Sequence, residues 1–280
     1  MNILITAFSP FGGELLNASQ EVLDALPERI GDMALTKLCL PVSFLRAPEL
    51  AIEAAERLRP DAIVCLGQAG GRDCVTPERV AVNLMDAASP DNDGFQPVDL
   101  PVMPDAPNAF FSTLPVKAMV AAMQQTDVPA KLSETAGTYV CNTLMYRMLH
   151  WAQGASIPCG FIHVPYLTEQ HSAEAPALPK ESVAAGIKVC LRVVRITHYE
   201  TLLDALLTVI SDDGASCDAL LAVRETVDAL SAYYASEDWK RDYAADEAGQ
   251  LPRILKRGVL SEDGIYNALE TYRERLAELE

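Results

Sequence analysis

The chain has four histidines and two tryptophans in 280 residues, and it has no apolar run as long as the roughly 20 residues that a membrane-spanning helix needs. It also lacks any Cys-x-x-C pair. Its seven cysteines, Cys39, Cys65, Cys74, Cys141, Cys159, Cys190 and Cys217, are an odd number, which argues against both a disulfide framework and a zinc knuckle. Cations are short. Lys and Arg total 22 against 39 Asp and Glu, a formal net charge of -17, so the clustered cations that grip nucleic-acid phosphates are missing. No glycine loop fits G-x-G-x-x-G or the P-loop spacing, which leaves a nucleotide site unsupported. The N-terminus has no basic region before its apolar residues and reads as a strand beginning at once. A signal or transit peptide is therefore not expected, and the expected location is the cytoplasm, with no membrane partner.

What is present is enough for a core: 50% of residues are hydrophobic and 22% charged, and the length suits one large α/β domain with a small appendage. Short apolar runs at Ile3–Phe8, Leu35–Leu40, Ala62–Leu66, Arg79–Leu84 and Gly160–Val164 read as strands. Helix-period segments at Ser19–Leu26, from Pro48 to about Leu58, Leu114–Gln124, Asn142–Gln153 and Glu181–Val194 lie between or after them. This alternation predicts a sheet covered by helices on both faces. Residues 87–107, rich in Pro, Asp, Asn and Gly, read as a long irregular loop and a candidate lid. From Thr201 onward the pattern turns helical, at Leu202–Ile210, Ala219–Tyr234 and Ser261–Leu279, with turns at residues 211–214 and 249–252. This stretch carries 17 acidic against 8 basic residues, and the asymmetry marks a boundary.

Three segments carry candidate chemistry. Thr135-Ala136-Gly137-Thr138-Tyr139-Val140-Cys141-Asn142 leads into Leu144, Met145, Met148 and Leu149 at helical spacing, so Cys141 sits at a helix start. Unpaired N–H groups and the positive dipole end there are expected to lower its thiol pKa and could hold an oxyanion. A buried structural cysteine is the alternative, and Cys39, Cys65, Cys159 and Cys190, in apolar segments, are assigned to that role. Gly160-Phe161-Ile162-His163-Val164-Pro165 is an apolar strand with one ionisable residue near its carboxyl end, the edge where open α/β sheets bind ligands. His163 could serve as base and acid for a nucleophile, or be a satisfied core histidine; His150, His171 and His198 are weaker candidates. Glu78, in Thr76-Pro77-Glu78-Arg79, could orient His163 as the third member of a triad, or pair with Arg79.

Two glycine loops follow strands, Phe8-Ser9-Pro10-Phe11-Gly12-Gly13 and Gly67-Gln68-Ala69-Gly70-Gly71. Their backbone and the rings of Phe8 and Phe11 reach the same sheet edge as His163, which describes a small apolar pocket with amide donors. The other reading is tight turns with core phenylalanines.

Taken together, these segments resemble the pyroglutamyl-peptidase I family over Met1 to about Val194. The glutamate signature runs from Gly67 to Gly71 and on through Thr76–Asn83, the cysteine signature is Thr135–Asn142, and Gly160–Tyr166 resembles the histidine segment. Phe111–Val120 fits as well. The resemblance implies a three-layer α/β/α sandwich with a twisted mixed sheet, of the phosphorylase/hydrolase-like kind, and a triad of Cys141, His163 and Glu78. It implies a pocket for a five-membered lactam at Phe8, Phe11, Tyr139 and Val140, with Gln68 near the polar edge of the ring and Asn17 supporting the loop. The activity implied is that of a cysteine exopeptidase which removes N-terminal pyroglutamate from peptides, requires no metal or cofactor, and assembles as a homo-oligomer, a dimer or tetramer.

Two departures qualify the resemblance. Ala88, in Asp86-Ala87-Ala88-Ser89-Pro90-Asp91-Asn92, stands where the family usually has Arg. The acidic stretch is additional, and it resembles a small bacterial domain of unknown function. The expected division is residues 1–198 as the catalytic domain and 199–280 as a small all-α module for interaction or regulation. Three other functions stay open: a related hydrolase of another N-acyl or lactam substrate, a non-catalytic binder of pyroglutamyl peptides, and a phosphorylase-like transferase, for which phosphate-binding cations beyond Arg72 and Arg79 are few.

Overall fold

Two compact units divide the chain, Met1–Leu191 and Arg192–Glu280; the computed structural model describes residues 1–170, 175–212 and 214–279. The first unit opens with β1 (Asn2–Phe8), α1 (Ala18–Ala25), β2 (Arg29–Ile30), β3 (Met33–Leu40), α2 (Arg46–Leu58) and β4 (Ala62–Gln68). It continues with β5 (Thr76–Pro77), β6 (Val80–Val82), β7 (Ala109–Phe111), α3 (Val116–Gln125), α4 (Val140–Ala155), β8 (Cys159–Val164), β9 (Tyr166–Leu167), β10 (Ala177–Leu178) and α5 (Lys180–Ile210), whose later turns belong to the second unit. Among the described residues no helix is long and apolar enough to cross a membrane.

Six strands form one mixed sheet in the order β2-β3-β1-β4-β8-β5. The four inner strands are parallel, and the short edge strands β2 and β5 are antiparallel. Strands β1, β4 and β8 are buried along nearly their whole length, as strands covered on both faces must be. Leu4, Ile63, Cys65 and Phe161 share one core with Ala51 and Ala55 of α2 and Leu144, Met145 and Met148 of α4. Alternate residues Ile3, Ile5, Val64, Leu66 and Ile162, also buried, face the opposite way because successive strand side chains do. Helix α1 lies against β1 and β4. The result is an α/β/α sandwich.

Local chemistry explains the boundaries. Pro48 is the third residue of α2, inside the first turn, where a missing N–H costs no helical bond. The helix ends at Arg59 in the left-handed region, φ 44°, immediately before Pro60. Helix α4 turns Leu144, Met145, Met148, Leu149 and Ala152 inward and stops at Ser156, φ 55°. Strand β5 tolerates Pro77 because it is an edge strand, where one N–H can be absent from the ladder.

The structure differs from the sequence reading at several points. The strand expected over Arg79–Leu84 shortens to β6 and pairs with β7 in a separate two-stranded sheet. Helices expected separately at Glu181–Val194 and Leu202–Ile210 are one helix, since no proline interrupts residues 180–210. The helix expected over Ala219–Tyr234 breaks at Val223. Cys39 is exposed rather than buried, because β2 pairs only with Met33 and Ala34 and leaves the later part of β3 as a sheet edge. His171 and Asp213 of the turn at 211–214 lie outside the described residues.

The second unit is helical: the end of α5, then α6 (Cys217–Ala222), α7 (Arg224–Tyr234), α8 (Glu237–Glu247), a 3-10 turn at Gly258–Leu260 and α9 (Glu262–Leu279). Serines start three of these helices: Ser216 caps α6, Ser236 caps α8, and Ser261 Oγ accepts from Gly264 N–H at the start of α9, each satisfying an otherwise orphaned donor. Its interior is partly ionic. Asp242, fully buried, accepts from Arg192 Nε at 2.7 Å, from Arg195 Nε and Nη2 at 3.0 and 2.8 Å, and from the Tyr233 hydroxyl at 2.7 Å. Arg195 also meets Asp238 at 2.6 Å, and the Tyr199 and Tyr233 rings stack at 3.8 Å. Removing one member of such a set leaves the other charge buried and uncompensated. Asp242→Ala is therefore expected to destabilise this unit by about 3–5 kcal/mol, measured as an earlier unfolding transition of the full chain in denaturant.

Candidate active site

Strand order sets the site. The chain leaves β1 for β3 on one side and returns to β4 on the other, so the crossing direction reverses between β1 and β4. At such a switch point the loops leaving the carboxyl ends diverge and open a crevice. A cavity of about 150 Å³ lies there, lined by Phe8, Phe11, Asn17, Val42, Gln68, Ala136, Tyr139, Val140, Cys141 and His163. That volume suits a small ring; sites for drug-sized ligands run to about 300–1,000 Å³.

The imidazole and carboxylate meet through the sheet edge. Strand β5 pairs antiparallel with β8, Thr76 opposite His163 and Pro77 opposite Ile162, and Glu78 N–H donates to Phe161 C=O at 2.9 Å. This brings Glu78, fully buried, to His163, whose Nδ1 lies 2.7 Å from Glu78 Oε1. Burial by itself would raise the Glu78 carboxyl. The hydrogen bond and charge of His163, with help from Ser133 and Arg72, outweigh it and hold the group below its ordinary range. An ionised carboxylate only accepts, so Nδ1 carries the proton and Nε2 is left as the basic nitrogen. Burial lowers the pKa of His163; Glu78 opposes that shift and Arg72 reinforces it. At neutral pH the ring is a neutral base.

Cys141 is the second residue of α4. Its sulfur stands over Gly67, where a Cβ would come within 3.0 Å of Sγ and 2.6 Å of Phe161 Cζ. Gly67 is in turn the register partner of His163. Sulfur and imidazole thus stand over neighbouring strands and share the cavity wall. The expected depression of the thiol pKa by the helix start is not found. The residue keeps some exposure to the cavity, but its sulfur lies in apolar surroundings, and burial, then the Glu78 charge, push the thiol up to about 12 against the pull of Arg72 and the residue's own backbone N–H. The resting pair is a neutral thiol beside a neutral imidazole. Cys65, Cys159 and Cys190 are buried, and their thiols are pushed up by desolvation as well.

The polar wall is a chain of amides. Ala18 N–H donates to Gln68 Oε1 at 2.7 Å, and a backbone donor there fixes which end of the Gln68 amide is oxygen. Gln170 Nε2 donates to the same oxygen at 2.8 Å and to Leu16 C=O at 3.2 Å, while Gln170 Oε1 accepts from Leu167 N–H at 2.9 Å. Gln68 Nε2, with no hydrogen bond among the described residues, is the donor left for a ligand. Asn17 is committed elsewhere: it caps α1 through Ser19 and donates to Ser9 C=O, which fixes the loop after β1. Tyr139 stacks edge-on against Phe44 at 5.1 Å, and its hydroxyl donates to Pro90 C=O at 3.0 Å.

Several participants carried no clear signal in the sequence. Arg72, Val42, Ala136 and Gln170 are contributed by loops or by ordinary apolar positions. Asn142 follows Cys141 in sequence; its buried side chain pairs with Val82 N–H and C=O and with Leu84 C=O, strapping the start of α4 to β6. The Glu78–Arg79 pairing considered above does not form, as Arg79 meets Glu134 at 2.8 Å. The loop at 87–107 borders the site through Pro90 and is tied down by buried Asp91, which accepts from the N–H groups of Phe44, Asp93 and Phe95. Ala88 is exposed and does not line the cavity. His150 and His198 lie against Phe110 and Tyr199 instead.

A sandwich of this order with thiol, imidazole and carboxylate at its switch point has the makings of a cysteine hydrolase. Residues 1–197 match the pyroglutamyl peptidase family, and residues 196–280 match a family described only as a domain of unknown function. The pyrrolidone-carboxylate peptidase of Thermococcus onnurineus is 45% identical over 195 residues, covering 69% of this chain and 98% of that protein. That of Levilactobacillus brevis is 43% identical over 204 residues, 71% of this chain and 100% of the relative. The crystal structure of pyroglutamyl peptidase I from Bacillus amyloliquefaciens superposes with a TM-score of 0.66 at 38% identity, over 68% of this chain and 94% of that one. A mutant pyrrolidone carboxyl peptidase from Pyrococcus furiosus gives 0.67 at 38%, over 70% and 98%. The chain belongs to the pyroglutamyl peptidase family and is a hydrolase of the pyroglutamyl-peptidase I type.

The sulfur's seat over Gly67 yields a direct test. Gly67→Ala places a methyl against both Phe161 and Sγ, and overpacking of this kind costs about 1–3 kcal/mol. A lower melting temperature together with slower alkylation of Cys141 by iodoacetamide is the expected outcome.

Proposed function

We propose that this enzyme removes an N-terminal pyroglutamyl residue from peptides by thiol catalysis, with Cys141 as nucleophile, His163 as its base and acid, and Glu78 as the group that orients the imidazole. The observation carrying this reading is the 2.7 Å His163–Glu78 pair beside the cavity that also holds the Cys141 thiol. His163 Nε2 takes the thiol proton as Sγ bonds to the pyroglutamyl carbonyl carbon. The carbonyl oxygen becomes an oxyanion. It is met by first-turn N–H groups of α4, to which the N-cap Tyr139 offers no side-chain acceptor among the described residues, and such preorganised donors stabilise developing charge. On collapse the C–N bond breaks and the imidazolium protonates the departing amine. Water, losing a proton to the same imidazole, then attacks the thioester, and Sγ leaves as the thiol while pyroglutamate departs as the acid.

Recognition follows from neutrality. The lactam ring has no charge, so the rings of Phe8, Phe11 and Tyr139 with Val140 can enclose it, and Gln68 Nε2 is placed to donate to its carbonyl oxygen. A free N-terminal glutamate would carry charge into the same slot at a desolvation cost. A proline would leave the amide without its acceptor, and sites built around one hydrogen bond reject analogues lacking it. The names of the relatives in Thermococcus and Levilactobacillus agree with this substrate. Those relatives are covered almost end to end by about two thirds of this chain, so the acidic helical unit is an addition to the catalytic part.

The full chain is expected to hydrolyse a pyroglutamyl arylamide and to leave prolyl and glutamyl arylamides intact. Cys141→Ser and His163→Ala should each lower turnover by about 100-fold or more, whereas Cys159→Ser leaves it unchanged. Normal turnover by Cys141→Ser, or its loss in Cys159→Ser, would overturn the assignment of the nucleophile. Gln68→Leu removes the proposed donor and should raise KM about tenfold with little change in kcat, the size of one hydrogen bond to a neutral group; an unaltered KM would remove Gln68 from substrate recognition.

A further inference from the structure

The proposed triad accounts for one of the two partners of Glu78 Oε1. The other is Arg72. Its Nη1 lies 2.7 Å from the same carboxylate oxygen that His163 Nδ1 contacts, and it also donates to Thr76 Oγ1, while Nη2 donates to Thr135 C=O at 3.3 Å. One guanidinium thus ties together the loop after β4, the start of β5 and the segment that leads into Cys141. Its side chain keeps 28% exposure while the carboxylate it meets has none, so an arginine reaching in from the surface neutralises a buried charge.

We propose that Arg72 is a positioning residue of this active site, dividing Glu78 Oε1 with the imidazole and thereby setting how firmly the carboxylate holds a proton on His163. The inference rests on the Cys141–His163–Glu78 reading and extends it. An undivided carboxylate beside His163 would stabilise the imidazolium strongly and leave less of the neutral base that the thiol needs. A carboxylate shared with a fixed cation still orients Nδ1–H but favours the charged ring less. Arg72 acts in the same sense on sulfur, since its charge favours the thiolate that Glu78 disfavours.

The charged and titratable groups facing this set are few. Directly after β5 comes Glu78, from the loop before that strand Arg72 and also Cys74, whose thiol burial and then Asp73 push up to about 11 against the pull of Lys131 and Arg72, and from α4 Cys141. Beside the sulfur are Tyr139 and Cys65, both with raised pKa values and neutral near pH 7. Lys131, in the neighbouring wall, pairs with Asp73 at 3.1 Å, away from Glu78.

The sign of the effect is fixed. Arg72 lowers the His163 pKa, so removing its charge raises it, and activity that needs neutral imidazole is lost at higher pH on the acid side. Two neutral replacements separate charge from strut: in Arg72→Gln the amide can still donate to Glu78, and in Arg72→Met it cannot. The experiment measures kcat and KM for a pyroglutamyl arylamide from pH 5 to 10 with the full chain, beside Arg72→Lys and the control Cys141→Ala. Both neutral variants are expected to move the acid limb of kcat/KM upward by about one pH unit, a tenfold loss on the acid side, with KM at high pH within about twofold of the parent. Arg72→Lys is expected to restore the limb. The proposal is overturned if Arg72→Gln or Arg72→Met keeps the parental limb and shows only a lower melting temperature, or if neither folds where Arg72→Lys does, since the cation at this position would then serve the fold alone. An active Cys141→Ala would instead sink the triad reading, whatever Arg72 does.

Discussion

The two-residue pairing of β5 on β8 is the constraint on which the site depends. Glu78 lies 85 positions from His163 in sequence, and only the antiparallel register Thr76–His163 and Pro77–Ile162 delivers its carboxylate to the ring. Once there it cannot relax into solvent, because both side chains are buried. A buried carboxylate is tolerated only when paired, so Arg72 and His163 both contact the same oxygen, and the charge that holds the His163 Nδ1 proton also requires a cation. Tautomer, free Nε2 and the placement of Arg72 follow from that register.

The parts of this arrangement that were legible in sequence are those set by local pattern. Cys141 stands at a helix start because apolar residues follow it at helical spacing, and His163 stands near a strand end because Gly160–Val164 is one apolar run before Pro165. The covered sheet was readable from the alternation of such runs with amphipathic segments. Pairings of two residues carry no periodicity, so β5 was invisible, and with it the physical reason for Glu78. Arg72 lies six residues before Glu78, yet nothing in a glycine-rich loop says which way an arginine will reach. Gln170 is joined to Gln68 across 102 positions by contacts that no local rule anticipates.

The thiol shows how a correct local argument can be outweighed. A helix start favours a thiolate by a fraction of a unit charge acting over one turn. Desolvation acts on the whole ionised form, and Cys141 has apolar neighbours and the Glu78 carboxylate close by. The helix placement was readable; its electrostatic consequence was not, because burial is tertiary. Cys39 is the converse case, an apolar-looking segment whose residue turns outward on a strand close to the sheet edge.

A neutral resting thiol has a chemical logic of its own. The thiolate is the form attacked by oxidants and adventitious electrophiles, and a sulfur kept protonated in a 150 Å³ cavity reacts when something in that cavity changes its balance. In the proposed mechanism a bound lactam would displace water and bring a carbonyl whose developing oxyanion meets the α4 N–H groups as the proton passes to His163. On that proposal, proton transfer and bond formation would be driven by the same event, and the energy that desolvation adds to the thiolate would be recovered as the charge moves from sulfur to an oxygen facing preorganised donors. Arg72 bonds to Glu78 and acts on the sulfur only through its charge, where it offsets part of the Glu78 effect without overcoming burial.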